Sequence, residues 1–463
     1  PTTNNQQPTT NNQQPTTKKL MARVQALKGS KKLLNAWAFY DWANSVYSLV
    51  IASAIFPIFY GALFRAAGIE KVVVFGYEIA RAPLISYTTS LAFLCIALIT
   101  PLLSGVADYL GNKKMFMKFF CYLGGISCIG LYWFSLENIY VGLICYFLGL
   151  VGFWVSFAIN NSYLPDVAFP NQQDRISAKG FSLGYIGSVI LLLFNLAMVM
   201  KPDFFGITSD ENGVAEIKAM KYSFITVGIW WIIFSQYTFY NLPKGNRREG
   251  PKEHVILNGF RELKKVWKQL GHEVKLKRYL GAFFVYSMAV QTVMLIATYF
   301  GEEEINWGSN SERTTGLIVS ILVIQIVAIL GANLTARASE KFGNIKTLIT
   351  LNTLWIIICI YAYFVISPID FYIAAGFVGL VMGGIQALSR STYSKFIPDT
   401  IDTTSFFSFY DVSEKIGIVI GTFMYGVIAQ LTGSMRNAII FLGLFFLIGA
   451  FLLTRVHKKA SSD

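Results

Sequence analysis

Four charged side chains lie where charge is costly. Asp41, Arg390, Glu414 and Lys415 fall inside apolar runs long enough to cross a bilayer. A charge in such a run costs at least about 3 kcal/mol, and it is kept when it pairs or handles solute. Asp41 lies roughly 8 Å into its run at the helical rise of 1.5 Å per residue. Asn160, Asn161 and Arg390 lie near one end of theirs, and Glu414 and Lys415 lie deeper. The chemistry on offer is hydrogen bonding to a polar solute, and carriage of a proton by Asp41 or Glu414. The plainer reading is that Asp41–Arg390 and Glu414–Lys415 pairs lock helices together. Deeper still, Asn44, Tyr47, Tyr185, Asn195, Gln291, Gln325 and Gln386 add amides and phenols. Asn44 and Tyr47 follow Asp41 at three-residue steps, which argues for one helical face. Any one of these is explained by a helix–helix hydrogen bond. Together they describe a cavity with few charges, suited to a small zwitterion or another polar organic solute. Trp154 and Phe157 can line the same pathway.

Bond-breaking chemistry has little to work with. The histidines (His254, His272, His457) lie between or beyond the apolar runs, so an intramembrane imidazole relay and a zinc cluster are both excluded. The five cysteines form no CxxC pair and read as small packing residues. No phosphate-binding loop or nucleophile elbow is present. Gly383-Gly384 sits in an apolar run, where small residues permit close helix packing. No cofactor or metal is implied.

The elements that must position these residues are transmembrane helices. Of 463 residues, 54% are hydrophobic and 14% charged, against about 25% charged in a soluble domain. Twelve spans are predicted, at 36–64, 84–107, 115–134, 139–163, 179–200, 222–240, 279–300, 314–336, 345–366, 371–395, 405–431 and 437–455. The net charge of +13 reports topology, not nucleic acid. With alternating spans, 30 of the 39 Lys and Arg fall on the face that carries both termini, which the positive-inside rule assigns to the cytoplasm. Residues 1–17 repeat a polar seven-residue unit with no apolar seam, so they read as a disordered, appended tail. The basic stretch before a long first span argues against a cleaved signal peptide. Residues 241–278 separate six spans from six. Within them Asn258–Gln269 places Phe260, Leu263, Val266 and Trp267 on one face, as in an amphipathic helix at a membrane surface.

The halves carry traces of each other. Gly105, Asp108, Gly111, Lys113 and Lys114 follow span 2, while Glu340, Gly343 and Lys346 follow span 8. Leu164-Pro165-Asp166 and Ile397-Pro398-Asp399 recur 55 and 56 residues beyond those glycines. The first marker resembles the gating-loop signature between spans 2 and 3 of the major facilitator superfamily. Here Gly111 permits the tight turn, Asp108 caps or pairs across the face, and the lysines anchor at headgroups. The second copy has Arg337 and Ile345 where the signature has glycine and lysine, which implies a weaker gate there. Residues Ala36–Tyr47, Asp174–Tyr185, Gly383–Ser391 and Phe406–Lys415 resemble the vacuolar-effluxer-like family of that superfamily, over about residues 33–455. Its fungal members export amino acids from vacuoles. The lack of large loop insertions fits the bacterial branch better.

The expected fold is an all-α polytopic membrane protein of the major facilitator type, with two pseudo-symmetric six-helix bundles. Its parts are a tail (1–33), an N-terminal bundle (34–240), a linker with an amphipathic helix (241–278), a C-terminal bundle (279–455) and a short tail (456–463). The resemblance implies a secondary transporter moving a small polar organic solute, amino acids included, by efflux or coupled to protons. The alternative is a transporter-like receptor or assembly subunit that carries nothing. The expected partners are solute, a coupling proton and membrane lipid, for a monomer in the inner or plasma membrane. The substrate or coupling candidates are Asp41, Asn44, Tyr47, Asn160, Asn161, Tyr185, Gln291, Gln386, Arg390, Glu414 and Lys415.

Overall fold

In a bilayer core no water satisfies backbone N–H and C=O groups, so apolar runs of this length close their hydrogen bonds within helices. The computed structural model describes residues 28–209, 214–243 and 255–456. The expected tail repeat, linker residues 244–254 and tail residues 457–463 lie outside those residues. Among the described residues twelve helices are long and apolar enough to cross a membrane. They are α1 (Lys31–Ala67), α2 (Arg81–Leu110), α3 (Lys113–Gly130), α4 (Ile139–Ser162), α5 (Pro170–Met200) and α6 (Ala215–Asn241). The second set is α7 (Val274–Glu304), α8 (Asn310–Phe342), α9 (Asn344–Phe364), α10 (Pro368–Phe396), α11 (Thr403–Thr432) and α12 (Met435–Thr454).

Most helices outrun the predicted spans because polar turns continue beyond the apolar stretch. α5 starts at Pro170, where proline costs no hydrogen bond, and its first turns carry Asp174 and Ser177 inward to the site while Arg175 stays exposed. Gly111 ends α2 at φ 60° and makes the expected turn into α3. Two elements were not expected. Residues Tyr47–Ile55 of α1 are π-helical. Strands β1 (Lys71–Val74) and β2 (Tyr77–Ala80) pair antiparallel after α1. Their two-residue turn has positive φ at both Phe75 and Gly76, the geometry that matches hairpin twist.

The helices pair in the same pattern twice. In the first half α1 packs on α5 and α6, α2 on α4, and α3 on α6. In the second, α7 packs on α11 and α12, α8 on α10, and α9 on α12. Each half encloses its own hydrophobic core. Between the halves the seams are α2–α11, α5–α8, α4–α11 and α5–α10. Shifting every number by six exchanges these seams in pairs, which is the signature of a pseudo-two-fold relation.

The linker helix, Val255–His272, lies across the α2–α11 seam. Its expected single apolar face divides in two. Val266 and Leu270 are buried, while Leu257, Phe260 and Trp267 are exposed beside Lys264 and Lys268. At Gly105 the approach is so close that an added Cβ would strike the carbonyl of Gly259. The first glycine of the span 2 marker therefore makes room for the linker helix.

Candidate functional site

The start of α1, the end of α12, the linker helix and the turns after α2 and α8 lie at one end of the bundle, here termed the basic face. Polar side chains draw the halves together from that face toward mid-depth. One knot centres on Arg390 of α10, 1% exposed. Its Nε donates to Ser177 Oγ at 3.0 Å. One terminal nitrogen donates to Asp41 Oδ2 at 3.1 Å and Asn161 Oδ1 at 3.0 Å. The other donates to Asp41 Oδ2 at 3.1 Å and to the Ser177 carbonyl at 3.0 Å. A guanidinium has five N–H donors and no acceptor, so every donor is used, on three helices of the opposite half. Trp37 and Phe181 stack near the cation at 4.7 and 4.3 Å, a cation–π sandwich that excludes water. Gly180 is required beside it, because a Cβ there would lie 2.5 Å from Asp41 Oδ2.

Nearer the basic face two polar contacts between the halves repeat the pseudo-symmetry with different chemistry. Asp108 of α2 accepts the backbone N–H groups of Thr404 at 3.3 Å and Ser405 at 2.7 Å. It thus caps α11 from the other half, where a carboxylate meets the positive end of the helix dipole. On the partner seam Asp174 of α5 binds Lys395 at 2.6 Å, Asn344 at 2.9 Å and Ser339 at 3.0 Å. Arg175 meets Glu340 through two hydrogen bonds, at 3.1 and 2.8 Å. The second contact is thus an ion-pair network instead of a helix cap.

The marker lysines do not reach toward headgroups as expected. Lys113 is buried, pairs with Asp166, donates to the Ser162 carbonyl at 3.1 Å and Thr403 Oγ at 3.0 Å, and lies over the Tyr163 ring. Lys114 donates to the carbonyl of Leu242 at 2.7 Å. A buried ammonium must find acceptors, and the α4 terminus and the Asp166 turn supply them. Gly343 adopts φ 87° at the turn into α9.

At mid-depth a second ion cluster belongs to α11. Lys415 binds Glu414 at 2.6 Å and Asp411 at 3.2 Å, and lies 3.5 Å from the ring centroid of Trp154 on α4. Gln291 of α7 donates to the other oxygen of Glu414 at 2.7 Å. Tyr185 donates to Gln386 at 3.0 Å across the α5–α10 seam. Glu414, Gln386, Trp154 and Phe157 are half-buried, as groups lining a pathway would be.

The candidates thus divide. Asp41, Asn161, Arg390, Tyr185, Gln386, Gln291, Glu414 and Lys415 meet at or beside the seam. Asn44 is buried on α1, its Oδ1 accepting from Ser45 at 3.5 Å. Asn160 accepts from the Trp37 indole through its backbone carbonyl at 2.8 Å. Asn195 accepts from Thr226 inside the first half. Tyr47 belongs to the first half's core, stacked on Phe153 at 5.0 Å and near Trp231. Two three-residue steps from Asp41 leave it about 120° around the helix, so the shared face does not extend that far. Asp411, Asp174 and Ser177 were not singled out from sequence. Asp411 had a readable signal, an acid four residues before an intramembrane lysine.

Residues 29–463 match the family described as vacuole effluxer Atg22-like. A Bacillus subtilis protein named as an uncharacterized MFS-type transporter, YxiO, is 31% identical, over 94% of this chain and 97% of its own. Autophagy-related protein 22 of Eremothecium gossypii is 24% identical, over 88% and 87%. The major facilitator transporter FucP, solved in an outward conformation, superposes with a TM-score of 0.66 at 15% identity, covering 92% of this chain and 98% of that one. A double-tryptophan variant of XylE gives 0.67 at 13% identity, covering 96% and 97%.

Proposed function

The chain belongs to the vacuole effluxer Atg22-like family of major facilitator transporters, and from that premise we propose that it exports a small polar organic solute, amino acids included, by proton-coupled alternating access. The observation that carries this reading is the Arg390 knot, which joins the two halves through five hydrogen bonds in an apolar setting. An ion pair at that depth is costly to keep. It has a use when the halves must hold one closed arrangement and then release it. The basic face is the cytoplasmic one by its excess of Lys and Arg, so this arrangement is closed toward the cytoplasm. The exposed side of the linker helix rests on lipid headgroups. Opening inward parts the α2–α11 and α5–α8 seams together, since the halves move as bodies.

The test is solute flux in proteoliposomes holding the purified protein. Labelled amino acids should exchange by counterflow and accumulate against a gradient when a pH difference is imposed. A well-folded preparation that exchanges no amino acid or other polar organic solute would instead favour a nontransporting receptor.

A further inference from the structure

The α11 cluster holds one positive and two negative groups. Asp411 and Lys415 are 3% and 1% exposed. Glu414 is fixed by Lys415 on one oxygen and Gln291 on the other. Asp411 uses only one oxygen, toward Lys415, and its Oδ2 is buried without a partner among the described residues. The Arg390 knot cannot supply the missing charge, because Asp41 already balances that guanidinium and all its donors are engaged. A net buried charge with an unpartnered carboxylate oxygen is an unstable resting arrangement unless a cation visits it.

The surroundings say what kind of cation. Lys415 Nζ lies 3.5 Å from the centroid of the Trp154 ring, on the opposite half of the protein. Indole is the best of the aromatic faces for an ammonium. Phe157 continues that wall, its ring centroid 6.2 Å from that of Trp154. A hard metal ion would call for a cage of oxygens and would gain nothing from an indole face. A proton would settle the charge but has no use for the ring. Two carboxylates around an aromatic face, with an ammonium already seated there, make a subsite for a second ammonium of the same kind.

We propose that Trp154, Asp411 and Glu414 form the subsite for an ammonium group of the transported solute, and that Lys415 occupies it as a tethered stand-in when solute is absent. The incoming ammonium takes the Trp154 face and the free oxygen of Asp411. Lys415, on its flexible four-carbon stem, withdraws onto Glu414. The inference rests on the transport reading only in taking this cluster to face the solute pathway.

Binding to the purified full-length protein tests it, read as thermal stabilisation with two probe ions, n-butylammonium and butyrate. Butylammonium should stabilise the protein and butyrate should not. Lys415→Met removes the competitor and should tighten butylammonium about tenfold. Asp411→Asn should weaken it about tenfold, and Trp154→Phe, which keeps a ring of lower cation affinity, about threefold. Stabilisation by butyrate in preference would make Lys415 an anion anchor and overturn the proposal. So would butylammonium affinity that Lys415→Met leaves unchanged, or no response to either ion. If Lys415→Met does not fold, Trp154→Phe decides, because unaltered affinity there also overturns it. Flux is a separate readout. Ammonium binding without flux sinks the transport reading and leaves the subsite standing, whereas flux with variant-insensitive binding sinks the subsite alone.

Discussion

Arg390 shows how one side chain can join two bodies. Its planar fork meets an aspartate on α1, an amide on α4, and both the hydroxyl and carbonyl of a serine on α5. A lysine at this position could not make that set, since a single ammonium offers three donors from one point. Removing one partner of a buried ion pair leaves the other charge uncompensated, at a cost of about 3–5 kcal/mol. Asp41→Asn and Arg390→Gln should each lower the melting temperature of the purified protein clearly, and the double variant should recover most of the loss. Additive losses in the double variant would show that the two groups do not act as a pair. The partners are legible in the sequence as charges inside apolar runs, and an Asp41–Arg390 lock is one of the two readings those positions allow. Their donor-by-donor geometry was not legible, because it joins residues 349 apart in sequence. Asp411 was legible in retrospect by its spacing from Lys415. Tyr47 was placed on the wrong face because short helical steps drift when they are chained.

At the scale of elements, long helices are the easiest feature to read, since a bilayer-length apolar run has few alternatives to a helix. All twelve appear within a few residues of their expected centres. The π-helical stretch of α1 and the β1–β2 hairpin were missed, the first because its residues are ordinary apolar ones and the second because the run is short. The linker helix was expected at the surface with one apolar stripe. Instead its buried stripe bridges α2 and α11, with Asn258 donating to Tyr109 at 2.9 Å and Lys265 lying 3.7 Å from Asp402. That contact depends on two glycines, Gly105 against the Gly259 carbonyl and Gly259 against Val106. Gly105→Val should lift the linker helix off α2, because its side chain would occupy the place of the Gly259 carbonyl. Hydrogen exchange over Val255–His272 should then rise several-fold. Gly271→Ala is the control, since a Cβ there meets nothing within 4 Å. Unchanged exchange in Gly105→Val would mean that the helix holds its place without that contact.

At the scale of the whole molecule, the charge asymmetry and the contacts between the halves draw on the same cations, so the asymmetry has to survive that double use. Ion pairs hold Lys113, Arg175, Lys265, Arg390 and Lys395 toward the basic face. On the opposite face they hold Lys71, Arg81 and Arg436. Discounting paired cations on both faces keeps the imbalance, because the basic face begins with 30 of the 39. The rule concerns Lys and Arg in short loops near span ends and is not a net-charge rule, so paired cations still contribute during insertion. Both ways of counting therefore favour the proposed orientation, in which the β1–β2 hairpin and the α5–α6 and α7–α8 turns face outside. Single cysteines at Ser209 and Gly308 should react with a membrane-impermeant maleimide in intact cells, while a cysteine at Gly271 should react only after permeabilisation. All three sites lie outside the apolar core, so the substitutions should leave folding intact. Labelling of the Gly271 position from outside, with protection at Ser209 and Gly308, would invert the protein and place the closed gate on the external face.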